Sequence, residues 1–186
     1  VGIIVRVYEA ADARAVGILI ADTYRKYNLD FASADEQIML LGPFANAHSD
    51  APEDLAMVAQ TIQARMAYVA VDGRDVVGVL RGRPGRLHSL FVREDYHRRG
   101  VGRMLVERFE AACRECGATQ ITLASSLYAV PFYLSVGYKR STGVRDSRSF
   151  GAPGLRIQPL KKVLKPAGAT PTDMHAAQDV SAGRPR

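Results

Sequence analysis

The sequence predicts an α/β protein, a mixed α+β sheet with flanking helices, and three features carry that prediction. Tyr68–Val71 and Val76–Arg81 are β-rich runs on either side of Asp72-Gly73-Arg74-Asp75, the pattern of an antiparallel hairpin. Leu87–Val92 is a further strand that passes through a short basic loop into a long amphipathic segment, Gly100–Cys116. Ahead of the hairpin, apolar residues recur at helical spacing in three separate segments.

The elements follow in order. Ile3–Tyr8 is β-branched and alternating, so it opens the chain as a strand. From Asp12 to Tyr27, the residues Ala13, Val16, Ile20, Tyr24 and Tyr27 form one face of a helix with Asp12 as N-cap. Ser33-Ala34-Asp35-Glu36 has capping-box spacing ahead of a short helix through Leu41, which Gly42-Pro43 ends. Pro52 opens a third helix with Leu55, Val58, Ala59, Ile62 and Met66 on one side. After the hairpin, Pro84-Gly85 turns the chain into Leu87–Val92. The long helix points Val101, Leu105, Phe109, Ala112, Cys113 and Cys116 at a core, and Gly117 stops it. Ile121–Ala124 is a strand, Ala129–Val136 a short helix, and Tyr138 onward returns to strand. Leu155–Leu164 supplies a last strand, which Pro159 assigns to an edge or a bulge.

At 186 residues, 47% hydrophobic and 24% charged, the chain reads as one folded domain over residues 1–164. Residues 165–186 are poor in large apolar side chains and read as a disordered tail. No apolar run reaches the roughly 18 residues of a membrane helix, so no membrane partner is expected. Cys113 and Cys116 cannot build a disulfide framework and suit a reducing, cytoplasmic setting. Their helical spacing makes them packing groups, and no second cluster supplies zinc ligands.

The charge is concentrated. Between Arg81 and Arg108 stand Arg81, Arg83, Arg86, Arg93, Arg98, Arg99, Arg103 and Arg108 against Glu94, Asp95 and Glu107, a surplus of five in a chain of net +6. Planar guanidinium forks suit phosphate oxygens, so this stretch calls for a polyanion: nucleic acid, an anionic membrane or a phosphorylated cofactor. Gly100 and Gly102 open the long helix, where free backbone N–H groups and the helix dipole meet an anion without side chains in the way. Arg98, Arg99 and Arg103 surround the same point. The segment reads as a pyrophosphate cradle rather than a dinucleotide fingerprint or a P-loop, since it lacks the third glycine and any Gly-Lys-Ser/Thr.

His97-Arg98-Arg99-Gly100-Val101-Gly102 resembles the acetyl-coenzyme-A signature of the GNAT superfamily of N-acetyltransferases, Q/R-x-x-G-x-G/A. Ala129-Val130-Pro131-Phe132-Tyr133, followed by Gly137-Tyr138, is similar to a second element of that family at the matching distance. The chain departs from the signature at His97, where Gln or Arg is usual, and altered cofactor contacts are expected. The resemblance covers residues 3–138 and implies a GNAT-like fold: a mostly antiparallel central sheet, a splayed parallel strand pair and flanking helices.

It also implies acetyl-CoA as acyl donor. In the family, the strand matching Leu90, Phe91 and Val92 pairs its backbone with the pantetheine arm. The amides matching Arg98, Arg99, Gly100, Val101, Gly102 and Arg103 hold the pyrophosphate. Tyr133 matches the tyrosine whose hydroxyl meets the thioester sulfur, although a short helix can equally bury a tyrosine as core. His88 matches a histidine that helps deprotonate the amine in arylalkylamine N-acetyltransferases, and a half-buried histidine without catalytic duty fits as well. Ser126 or Tyr128 stands near where relatives carry an asparagine.

The implied activity is direct acetyl transfer to a primary amine in a ternary complex, with a small-molecule or protein amine as acceptor and no nucleic-acid partner. The acceptor is expected near Tyr24–Phe44, where Tyr24, Tyr27, Phe31 and Phe44 can form its wall or equally be core. Asp30, Asp35 and Glu36 are candidates for meeting a cationic amine, although solvated acids at helix starts fit them better. A homodimer accords with the family. The alternative is a non-catalytic acyl-CoA sensor module that uses the same cradle.

Overall fold

The hairpin lies within an eight-stranded sheet in the computed structural model, which describes residues 2–149 and 152–165. The strands are β1 (Ile4–Val7), β2 (Met66–Asp72), β3 (Asp75–Arg83), β4 (Arg86–Val92), β5 (Gln120–Ser126), β6 (Lys139–Arg140), β7 (Arg145–Ser149) and β8 (Ala152–Val163). Their order is β1-β2-β3-β4-β5-β8-β6, with β7 also on β8. Every pairing is antiparallel except that of β4 with β5. The mixed sheet and splayed pair expected from the sequence are therefore present.

The helices are α1 (Ala13–Asn28), α2 (Ala34–Leu41), α3 (Pro52–Ile62), α4 (Val101–Glu115) and α5 (Val130–Ser135). Two cores divide them between the faces of the sheet. On one face Leu105, Phe109 and Cys113 of α4 pack with Val77, Leu80, Leu87 and Ile121. On the other, Val16 and Ile20 of α1 and Val58 and Ile62 of α3 pack with Val69 and Val79. No described helix is long and apolar enough to cross a membrane.

Ser33 and Glu36 form the capping box that their spacing predicts, with the Ser33 N–H donating to Glu36 Oε2 at 2.8 Å. Asp12 differs from expectation. It precedes α1, but its carboxylate accepts from both terminal nitrogens of Arg6 at 2.7 Å and from the Glu9 N–H at 2.8 Å. A charged fork from the neighbouring strand outcompetes the helix amides for the same oxygens. Met66 starts β2 rather than extending α3, and Cys116 at the end of α4 is exposed while Cys113 is buried.

Pro159 is not on an edge: β8 pairs with β5 on one side and with β6 and β7 on the other. Its carbonyl accepts from the Ser141 N–H at 3.1 Å, so its missing donor falls on the β6 and β7 side, where those two strands are interrupted. The buried Gln158 amide donates there to the Thr142 carbonyl at 2.6 Å and fills the gap. The tail expected beyond residue 165 lies outside the described residues.

Candidate functional site

β4 and β5 hold register only at Arg86 and Thr122, then separate. The divergence opens one side of β4. The Arg93 N–H donates to the Val77 carbonyl at 2.9 Å, which makes Gly78 and Val92 a non-hydrogen-bonded pair and turns the backbone groups of Val92 away from β3. By alternation Leu90 faces the gap as well, whereas the backbone of Phe91 faces β3. Of the three strand residues implied by the resemblance, two therefore offer backbone to the gap. Phe91 instead presents its ring edge-on to Tyr24 at 6.0 Å between centroids.

β4 also carries a bulge. Arg81 faces Ser89 while Gly82 faces Leu87, leaving His88 as the extra residue. The bulge presents the His88 ring to the cavity described below. Partial burial, then the charges of Arg83, Arg86 and Arg81, hold its imidazole below the ordinary histidine value. The neutral, proton-accepting form is accordingly favoured at pH 7.

Beyond β4 the chain turns through a rigid loop. Tyr96 anchors it: its hydroxyl donates to Asp72 at 2.9 Å, and Arg93 and Arg99 lie 4.7 and 4.2 Å from its ring centroid. Arg99 therefore spends its guanidinium on this ring and does not line the cavity, whereas Arg98 and Arg103 do. Arg98 and Gly100 take positive φ, +60° and +85°, and this tight turn ends at the first amides of α4. Gly100 is required for its conformation and Gly102 for space, since a Cβ there would stand 3.1 Å from the Phe132 ring. Glu94 and Asp95 pair with Lys26 and Arg93 at 2.5 and 2.8 Å, a structural role within the loop.

α5 places Tyr133 5% exposed beneath the gap, its ring against Phe132 and Tyr138. Its hydroxyl has no hydrogen-bond partner among the described residues, and burial pushes its pKa well above the ordinary tyrosine value. The hydroxyl therefore keeps its proton through the ordinary pH range.

β4, the start of α4 and α5 line one cavity of about 1000 Å³, at the upper end of what ligand pockets reach, ~1,000 Å³. It takes in His88, Leu90, Phe91, Val92, Arg98, Gly100, Val101, Gly102, Arg103 and Tyr133, together with Ser126 and Tyr128. Ile20, Tyr24, Tyr27, Leu41 and Phe44 from α1, α2 and the turn after α2 also line it, so three of the four aromatic residues singled out in the sequence wall the cavity, whereas Phe31 is exposed outside it. No Asp or Glu is among the lining residues; Glu36 is held in its capping box, and Asp30 and Asp35 are exposed outside the cavity. The acids proposed to meet a cationic amine do not reach it. Among the described residues, no three His, Cys, Asp or Glu side chains gather as metal ligands.

Asn28 and Arg81 are among the lining residues that sequence reasoning did not assign to the site. Asn28 keeps a buried Oδ1 without a partner. Arg81 looked like one member of the basic stretch; only its neighbours across β3, β4 and α3 show that it points into the cavity wall.

A model of the acetyltransferase (GNAT) domain matches residues 33–164, and the chain belongs to that family. A curated relative, the tRNA(Met) cytidine acetyltransferase TmcA of Aeropyrum pernix, is 34% identical over 117 residues, covering 49% of this chain. The match spans only 16% of that protein's length. Among solved structures, the GCN5-related N-acetyltransferase from Rhodopseudomonas palustris aligns with a TM-score of 0.71 at 23% identity, covering 87% of this chain and 95% of that one. The PaiA N-acetyltransferase from Thermoplasma acidophilum, solved in complex with coenzyme A, aligns with a TM-score of 0.63 at 15% identity over 88% and 99%. At these identities the solved structures share the fold.

Proposed function

We propose that the chain transfers an acetyl group from acetyl-CoA to a primary amine, directly, with both substrates bound at once. The observation that carries this reading is that two sets of open backbone groups meet in one cavity, those of Leu90 with the Val92 N–H in the β4–β5 gap and the first amides of α4, beside Tyr133 and His88. A cofactor arm that adds as a strand and ends in a pyrophosphate fits these two sets. The strand edge offers N–H and C=O groups, and the helix start offers free amides beside Arg98 and Arg103. The family match and the coenzyme A complex of the Thermoplasma acidophilum protein support the choice of donor.

The thioester supplies an activated acetyl group. The protein's own groups handle the protons. An alkylammonium with pKa near ~10.4 is only about one part in a thousand neutral at pH 7. His88, held in its neutral form, takes the ammonium proton and so frees the lone pair that forms the new C–N bond; the second proton, lost from nitrogen after attack, balances the one that Tyr133 gives to sulfur. Tyr133 donates its hydroxyl hydrogen toward the sulfur as the C–S bond breaks. Backbone N–H groups of the β4 edge face the carbonyl oxygen where negative charge develops.

The test is release of free coenzyme A from acetyl-CoA against small amines, a lysine peptide and a short RNA, the last because the Aeropyrum pernix relative is named for a cytidine acceptor. Tyr133→Phe is run alongside. Amine-dependent release that drops about a hundredfold in the variant is expected. Equal rates in both proteins would remove Tyr133 from the mechanism. Binding of coenzyme A without release to any acceptor would favour a sensor module.

A further inference from the structure

Among the described lining residues, Arg81 is the one arginine or lysine that stands apart from the start of α4. It projects from β3 between α3 and β4, where its Nε donates to Ser89 Oγ at 3.0 Å and its Nη1 to the Thr61 carbonyl at 2.6 Å. Its guanidinium lies 5.6 Å from the centroid of the Phe44 ring. A guanidinium has five N–H donors, and these two bonds leave the Nη2 group without a partner among the described residues. No described carboxylate pairs with it.

A guanidinium withdrawn from water with only neutral acceptors is poorly compensated. Burial alone shifts Arg81, and it shifts it downward, because no nearby acid opposes the loss of solvent. Its partners could be satisfied by a solvated arginine. What they leave over is the Nη2 side of a guanidinium that lines a cavity with no Asp or Glu among its described lining residues, and whose wall includes Ile20, Leu41 and Phe44. Arg83 and Arg86 add positive charge near His88, one residue from Ser89. A polycation or a lysine-rich peptide meets repulsion here, and a carboxylate matches the free fork in both charge and shape.

We propose that Arg81 binds a carboxylate of the acceptor, so that the acceptor is a small amine carrying a carboxylate and an apolar or aromatic body. The assignment rests on the acetyltransferase reading of the same cavity. It gives Arg81 the task of orienting the acceptor, with its apolar part against Phe44 and Leu41 and its amine toward His88.

The experiment compares matched acceptors on the unaltered chain: the protein amino acids, their decarboxylated amines and their carboxamides, with acetyl-CoA as donor. Carboxylated members used about ten- to hundredfold better in kcat/KM than their neutral counterparts are expected. Arg81→Gln should erase that preference mainly through the acceptor KM, leaving the KM for acetyl-CoA within about twofold. Equal use of neutral and carboxylated members would overturn the proposal, as would transfer only to the lysine peptide or the RNA. Coenzyme A binding seen by calorimetry, with no transfer to any carboxylated amine, overturns it as well while leaving the cofactor site standing. Absence of coenzyme A binding would instead fell the reading beneath it.

Discussion

The His97 ring Nε2 lies 2.8 Å from the carbonyl oxygen of Val92 and joins the loop before α4 to the end of β4. The ring also lies against Tyr27 at 5.2 Å, and Tyr27 in turn stacks on Tyr128 at 5.0 Å. The residue that departs from the family signature thus closes the Val92 carbonyl, one of the few strand-edge groups turned toward the gap. Val92 keeps its N–H for a pantetheine arm, and the bond fixes the strand end against the loop that leads into α4. His97→Ala should weaken coenzyme A binding about fivefold, the worth of one positioning hydrogen bond. His97→Gln keeps an N–H donor and should recover most of the loss. Calorimetric titration with coenzyme A decides it, and unchanged affinity in the alanine variant would place this bond outside the cofactor's path.

The environment of His88 makes a prediction about pH. Burial and the charges of Arg83, Arg86 and Arg81 hold the imidazole below the ordinary histidine value. A base works in its deprotonated form, so kcat/KM should fall as pH drops through that depressed value. Arg83→Gln removes one repelling charge, eases protonation and moves the acid limb to higher pH. High salt should shrink the displacement between the two profiles, since the arginine charge acts through partly solvated space. Superimposable acid limbs at low salt would mean that another group sets the profile.

What the sequence disclosed, and what it hid, divides along the reach of the interactions. The capping box of Ser33 and Glu36, the hairpin around Gly73 and the face of α4 depend on residues three or four apart, and periodicity reports such neighbours directly. Asp12 was legible as a helix start but not as the partner of Arg6, because the competing donor comes from a strand. Pro159 was legible as a defect in a strand, yet the repair by Gln158 depends on where β6 ends and β7 begins. Within the site, the turn at Gly100 lay in a local motif, whereas the bulge at His88 exists only in register against Arg81 and Gly82. Arg81 itself was hidden among seven other arginines, and only Thr61 and Ser89 separate it from them.

Gly100 and Gly102 should respond differently to the same added methyl group. At Gly100 nothing lies within 4 Å of a new Cβ, so the cost is conformational and comes from φ of +85°. Gly100→Ala should lose about 1–2 kcal/mol. For a chain of this size that corresponds to a fall of about 4 °C in thermal midpoint. At Gly102 the backbone is helical and the new Cβ would press on the Phe132 ring at 3.1 Å. Gly102→Ala should keep its midpoint within about 2 °C, the helix gain offsetting the contact, and weaken coenzyme A binding through the displaced ring. Thermal unfolding followed by circular dichroism separates the two. A larger fall at Gly102 would show that Phe132 cannot yield.

Glu110 of α4 is 3% exposed and is held by Lys162 of β8, whose ammonium donates to its two oxygens at 2.7 and 2.8 Å. Lys162 donates further to the Val136 carbonyl at 2.8 Å, which ties the end of α5 to the same point. The network therefore fixes three elements at the back of the cavity, and its charges are compensated only together. Arg114 approaches Glu110 at 3.5 Å but is itself half-solvated and cannot replace the lysine. Lys162→Met should cost about 3 kcal/mol by stranding a buried carboxylate. The double variant Glu110→Leu with Lys162→Met should be less destabilised than the single one, because removing both charges leaves nothing unpaired. Urea denaturation of the three proteins tests the order. A double variant destabilised as much as Lys162→Met alone, or more, would show that the pair contributes through packing rather than through its charges.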